Sequence, residues 1–333
     1  MRGNSIFIFL FQLLFSIQIC HSQVKINGVN FEGPPKPVSD KPFLEIKSID
    51  ANHVAIIPFA YGNSGEAKLS WKNLDWQWWG ESAEGLKSCL QSARSKGLQT
   101  MVKPQVWFDR GSFTGHFKLE NDQEWQQFEK DYRDYILHCA QIAAEEKASI
   151  FCIGTEFCAF VEARPQFWKQ LITDVRKIFS GKITYAANWD TYDKCSLWSQ
   201  VDYIGIDAYF PLSKHQTPSV KSLLLAWEPW FRTIKSISLK SGKPVLFTEY
   251  GYRSTDACCE SPWDSSRGKE INLDAQTNAL QALYQKFWAE PWFAGGFIWK
   301  WHDEQRIKTQ HNDNFSPQHK PALEVVKYWY GKH

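Results

Sequence analysis

Ser149–Phe157 reads SIFCIGTEF: an apolar, strand-forming run, a glycine, and then Glu156. Lys243–Tyr252, KPVLFTEYGY, follows the same plan, with Val245, Leu246 and Phe247 ahead of Glu249. Each places an ionisable carboxylate at the end of a strand otherwise fit for burial, where an unpaired charge is costly. Six further runs are strand-like: INGVNFEG (Ile26–Gly33), HVAIIPFAY (His53–Tyr61), QTMVKPQVW (Gln99–Trp107), KITYAANW (Lys182–Trp189), VDYIGIDAY (Val201–Tyr209) and GGFIWKW (Gly295–Trp301). Amphipathic segments lie between them at Ser82–Lys96, Asp122–Ala148, Gln166–Phe179, Val220–Ser241 and Leu273–Trp288, with a last one at Lys320–Tyr330. Strands alternating with helices in this way predict an α/β chain, a single (β/α)8 TIM barrel, with residues 23–333 as one domain. Few residues separate the fifth and sixth strands, so the helix expected at KCSLWSQ must be short.

Side chains alternate along a strand, and the phase sorts them. In the fourth strand Cys152, Gly154 and Glu156 are expected to share a face, and in the seventh Val245, Phe247 and Glu249. The third sets Met101, Lys103, Gln105 and Trp107 against Val102 and Val106; the sixth sets Tyr203, Gly205, Asp207 and Tyr209 against Ile204 and Ile206. The polar set points into a barrel and, at the C-terminal end, lines its mouth. Lys103, Gln105, Glu156, Asp207, Tyr209 and Glu249 are therefore expected to converge there.

Composition narrows the function. Of 333 residues 43% are hydrophobic and 22% charged, with 38 basic and 36 acidic residues giving a net charge of +2. No basic stripe or tail is present, which argues against a nucleic-acid partner. Aromatic residues reach 16%, with 17 tryptophans, an excess suited to stacking on ligands. Residues 1–22 read as a signal peptide: Arg2, the apolar run SIFIFLFQLLFSIQI, then CHS, with the mature chain starting near Gln23. The run is too short for a membrane span, and a secreted protein, extracellular or periplasmic, is expected. A lipid anchor on Cys20 is the less favoured alternative, because Ile19 is a poor residue before such a site. Seven cysteines remain, an odd number, and Cys258 or Cys259 is expected to bridge to another loop.

Two carboxylates at one mouth suit glycoside hydrolysis, which needs a protonated acid and an ionised nucleophile or base across the sugar bond. Metal chemistry is not expected: no histidine shares the inward phase of the glutamates, and no cofactor is implied. The motifs MVKPQVW, GTEF, VDYIGIDAYFPL, PVLFTEYGYRS, GGFIWKW and FSPQHKPAL, in that order, resemble glycoside hydrolase family 113 over essentially the whole mature chain. That family belongs to the clan A retaining glycosidases, and its characterised members are endo-β-1,4-mannanases. The resemblance implies Glu156 as acid/base and Glu249 as nucleophile, with Tyr209 bonded to the nucleophile. It implies Trp299 or Trp301 as the platform under the sugar, Lys103 and Gln105 on sugar hydroxyls, and Asn188 and Asp207 at neighbouring strand ends. Trp79, in LDWQWWGES, would wall a subsite. Two departures stand out: Thr155 replaces the asparagine that many clan members place before the acid/base, and the loop Arg253–Ser266 matches nothing familiar. The expected partner is a mannan-type polysaccharide or oligosaccharide. The alternatives are another retaining β-glycosidase, of glucanase or xylanase type, and a secreted glycan-binding barrel without turnover.

Overall fold

The computed structural model describes residues 24–72, 74–109, 112–264, 266, 270–309 and 313–333, so residues 1–22 lie outside the described residues. In chain order the elements are β1 (Ile26–Phe31), α1 (Lys41–Ser48), β2 (His53–Ile56), β3 (Phe59–Tyr61), α2 (Ala83–Ser95), β4 (Gln99–Val102), β5 (Gln105–Trp107), α3 (Asp122–Glu145), β6 (Ile150–Thr155), α4 (Cys158–Ala163), α5 (Pro165–Ile178), β7 (Lys182–Asn188), β8 (Tyr203–Asp207), α6 (Val220–Ser241), β9 (Val245–Tyr250), α7 (Leu273–Phe287), β10 (Phe293–Trp301), α8 (Glu304–Thr309) and α9 (Ala322–Lys332). Eight strands close a parallel barrel in the order β1-β10-β9-β8-β7-β6-β4-β2, and helices surround it. This is the expected TIM barrel.

Prolines divide two of the expected strands. Pro58 and Pro104 lack the N–H that a central ladder requires. His53–Tyr61 becomes β2 and β3, and Gln99–Trp107 becomes β4 and β5. The detached halves pair with each other, Phe59 opposite Gln105, at the C-terminal rim. The short helix expected at KCSLWSQ is absent: one 3-10 turn, Tyr192–Lys194, and further turns bridge β7 to β8. Helices α2, α3, α6 and α7 start on side-chain caps, from Ser82, Asn121, Ser219 and Asn272.

The barrel interior holds a small cluster that includes Met101, Cys152, Ala186, Tyr203, Leu246 and Phe297. Phe297 fills the bore opposite Gly28, where an added Cβ would lie 2.4 Å from the ring. Most apolar side chains instead pack between sheet and helices, and that layer absorbs much of the tryptophan excess, with Trp168, Trp227 and Trp288 fully buried. Trp288 donates Nε1–H to Asn27 at 2.8 Å, and Tyr330 of α9 donates to the Gly28 carbonyl at 2.6 Å, fastening the last helix to the first strand.

The expected strand phase fails in two places. Leu246, not Val245 or Phe247, faces the bore; Phe247 packs outward against Phe287 and Phe293, with ring centroids 5.0 and 4.8 Å away. Gly154 also faces outward, since a Cβ there would meet Trp168 and Tyr132 at 2.7 Å. Bulges restore what simple alternation would lose. In the β8–β9 ladder, Ile206 pairs with Phe247 but Asp207 pairs with Glu249, so β9 carries one extra residue. In the β6–β7 ladder, Cys152 pairs with Thr184 and Thr155 with Ala186, which places an extra residue in β6. Such insertions re-aim side chains at the ends of strands, and here they turn both glutamates to the mouth.

Candidate active site

Glu249 ends β9 in a web of donors. Gln105 donates Nε2–H to Oε1 at 2.9 Å, and Tyr209 donates its hydroxyl to Oε2 at 2.7 Å. Lys103 also bonds Oε1 and lies 3.3 Å from both carboxylate oxygens of Asp207. Asp207 accepts the Thr248 hydroxyl at 2.7 Å. Both oxygens are engaged, which fixes the orientation of the Glu249 carboxylate at the cleft.

Glu156 follows β6 with φ at +57°, left-handed backbone that a glutamate rarely adopts. Its N–H is tied to the Ala186 carbonyl at 2.8 Å, and its own carbonyl accepts from Cys158 at 2.8 Å, so the neighbouring strand and the start of α4 hold the strained residue in place. Strain of this kind gathers at functional sites.

Both glutamates line one cavity of about 900 Å³ at the C-terminal end of the barrel, with Asn188, Tyr209, Trp107, Trp189, Trp263 and Trp299. Trp299 is the platform candidate that reaches this cavity; the peptide joining it to Lys300 is cis. Trp301 does not reach it. β10 carries an extra residue between Ile298 and Trp301 relative to β1, and Trp301 is buried in the outer core. Trp79 lines a different cavity, with Pro35, Phe59 and Tyr135, bordered by residues of α2 and α3. Lys103 and Asp207 are fully buried beneath Glu249; Lys103, expected on sugar hydroxyls, instead bonds the carboxylates of Glu249 and Asp207. Gln105, half-buried, spends its amide on Glu249.

The sequence reading missed Thr248, which alternation had turned outward, and the aromatic pair Trp189–Trp263. The loop Arg253–Ser266 that carries Trp263 gave no motif to read. The seven described cysteines are thiols, so the bridge expected from Cys258 or Cys259 is absent; both are buried, with sulfurs 3.8 Å apart.

Burial and the nearby carboxylates of Asp207 and Glu249 hold the Glu156 carboxyl well above the usual range. Asp207 is pushed up to about 7, by burial first and then by Glu249, against the pull of Lys103. Burial alone would lower the Lys103 ammonium; the charges of Asp207 and Glu249 outweigh it and raise the pKa. One buried cation thus serves two carboxylates. Lys103→Met is expected to destabilise the fold by about 3–5 kcal/mol, because it strands buried negative charge. Urea unfolding at neutral pH measures this, and an unchanged midpoint would contradict the arrangement.

Glu156 also makes a stability prediction. Its carboxyl binds protons more tightly folded than unfolded, so stability falls as pH rises from the unfolded value, about 4.3, through the raised folded one. Glu156→Gln removes that penalty. The variant is expected to melt above the parent at neutral pH, with the gap closing in acid. A pH series of melting curves checks the trend, and a gap that widened toward acid would reverse the sign assigned to Glu156.

The sequence model of Glycoside Hydrolase Family 113 matches residues 38–320. No curated protein sequence matches the chain. Among solved structures, a β-mannanase of that family from Alicyclobacillus acidocaldarius, complexed with ManMIm, is 22% identical with a TM-score of 0.78, covering 92% of this chain and 97% of its own. A β-1,4-mannanase of the same family is 23% identical with a TM-score of 0.77, covering 94% and 100%. A β-glucuronidase from Faecalibacterium prausnitzii is 13% identical with a TM-score of 0.63, covering 93% of this chain and 49% of its own. At these identities the structural likeness speaks for the barrel.

Proposed function

Because the chain belongs to glycoside hydrolase family 113 and is a glycoside hydrolase, we propose that it is a retaining endo-β-1,4-mannanase acting on mannan-type polysaccharides or oligosaccharides. The observation that carries this reading is the pairing of Glu156 and Glu249 in one cleft. One is held as an acid by burial and like charge; the other is fixed by Lys103, Gln105 and Tyr209.

The chemistry runs in two displacements. Glu249 attacks the anomeric carbon while Glu156 gives its proton to the glycosidic oxygen, breaking the C–O bond and releasing the leaving sugar. Glu156, now a carboxylate, takes a proton from water, and the oxygen of that water attacks the same carbon. The bond to Glu249 breaks, and the product keeps its configuration. Trp299, on the strand beside Glu249, lies under the sugar being transferred. Asn188, at the end of β7, contributes a side-chain amide to the cleft, 2.9 Å from Asp190.

Incubation of the mature protein with manno-, cello- and xylo-oligosaccharides, followed by chromatography, tests the specificity. Internal cleavage of the manno series is expected. Cleavage of the cello or xylo series alone would move the enzyme to another β-glycosidase class, and binding without cleavage would make it a glycan-binding barrel.

The pH dependence follows from the same acid. The first step requires protonated Glu156, so activity is expected to fall as pH rises through its raised value, well above the ordinary glutamate range. An alkaline limb near pH 4.3, the ordinary glutamate value, would contradict the assignment.

Export belongs to the same proposal: residues 1–22 are removed as a signal peptide and the enzyme works outside the cytoplasm. Mass spectrometry of the mature protein is expected to find an N-terminus near Gln23; a lipid-modified Cys20 would replace this with an anchored enzyme. Among the described residues no helix is long and apolar enough to cross a membrane.

A further inference from the structure

The loop Arg253–Ser266 does work that no motif in it announces. Cys258 and Cys259 are buried at its base. The Cys259 carbonyl accepts from Leu212 at 2.8 Å and Ser213 at 3.2 Å, and Ala257 donates to Gln216 at 3.0 Å. The loop is thereby pinned to the segment between β8 and α6, and it delivers Trp263 to the cleft. There the indole stacks on Trp189, with centroids 4.8 Å apart and planes 21° apart. Trp189 is braced in turn, edge-on to Trp230 at 5.9 Å and Phe210 at 6.1 Å. Trp263 remains 47% exposed, with one face packed and the rest open to the cavity that holds both glutamates. A single exposed tryptophan means little, but this one rests on a stack of rings that reaches into the core.

Its place in the barrel gives the stack a direction. Trp189 directly follows β7, the neighbour of β6, and β6 leads into Glu156. Trp299 lies on β10, the neighbour of β9, which carries Glu249. In a double displacement the transferred sugar lies over the nucleophile and the leaving sugar lies beyond the acid. We propose that Trp263, backed by Trp189, is the stacking platform for the sugar unit on the leaving-group side of the scissile bond. Substrate would therefore bind with its non-reducing part over Trp299 and its reducing part over Trp263. This inference rests on the mannanase reading and assigns the polarity of the cleft.

The test compares two substrates of the mature enzyme: a manno-oligosaccharide, which has a leaving sugar, and β-mannosyl fluoride, which has none. In Trp263→Ala the ratio of kcat/KM for the oligosaccharide to that for the fluoride is expected to fall roughly tenfold or more, the scale of a lost aromatic stacking contact. Trp263→Phe, which keeps a flat ring, is expected to recover most of the ratio. Transfer of mannosyl units to an added manno-oligosaccharide acceptor should weaken in parallel, since the acceptor occupies the same place. An unchanged ratio in a folded Trp263→Ala protein would overturn the platform and leave the mannanase reading standing. If the unaltered enzyme processed neither substrate, the mannanase reading would fail and take the platform with it.

Discussion

Glu249→Ala is expected to lower kcat on manno-oligosaccharides by roughly 10⁴-fold or more, because the covalent route disappears with its nucleophile. The fold should survive, but not untouched. The change deletes one of the two carboxylates facing Lys103, and the ammonium keeps Asp207 at 3.3 Å. Tyr209 and Gln105 lose an acceptor and turn to water in the vacated space. Added azide should enter that space and attack the anomeric carbon of a substrate with an activated leaving group. It would do so once, from the face that Glu249 used, and leave an α-mannosyl azide. Substantial hydrolysis by Glu249→Ala, without any added nucleophile, would remove Glu249 from the role assigned to it.

Glu156→Gln should lower turnover of unactivated oligosaccharides by about 10²–10⁴-fold, the range that general acid–base catalysis contributes. The loss should depend on the leaving group. A dinitrophenyl mannoside needs no proton, so its first step is expected to proceed far better than cleavage of an oligosaccharide, followed by slow release of the glycosyl-enzyme. A burst of dinitrophenolate in stopped-flow measurements is the signature. Glu156→Ala with azide should yield the β-azide, opposite to the product of Glu249→Ala, since here the intermediate on Glu249 forms first. The alkaline limb of the pH profile should vanish with the acid. A uniform loss across good and poor leaving groups would mean that Glu156 positions substrate and does not transfer the proton.

The fold was largely legible in the sequence because its strands are buried on both faces and read as short apolar runs. The amphipathic segments between them carry a helical period. Helix α6 begins and ends where the pattern placed it, at Val220 and Ser241. The pairing of Glu156 with Glu249 was legible too, although strict alternation gave the wrong physical reason. Val245 and Phe247 face outward, and Glu249 reaches the mouth through an extra residue in its strand. A bulge leaves no composition signal, so parity along a strand holds only up to the first one. The same effect separates Trp299 from Trp301.

Burial depth was the other hidden quantity. Lys103 and Asp207 were placed at the correct end of the barrel, but sequence could not distinguish a side chain that touches sugar from one that supports Glu249 from below. The distinction matters, because the two act oppositely on Glu156: burial raises its carboxyl first, the Asp207 carboxylate adds to the rise, and the Lys103 ammonium opposes it. Trp79 shows the converse: read as a cleft wall, it lines a separate cavity bordered by α2 and α3. Trp189 and Trp263 meet only in three dimensions, so neither drew notice alone.

The central claim is that Glu249 forms a covalent bond to the sugar while Glu156 manages the proton. Incubation with 2-deoxy-2-fluoro-β-mannosyl fluoride should trap that bond, because the fluorine slows release more than formation. Peptide mass spectrometry should then find one added fluorosugar on the peptide containing KPVLFTEYGY, with fragmentation placing it on Glu249. A label on any other residue would contradict the account.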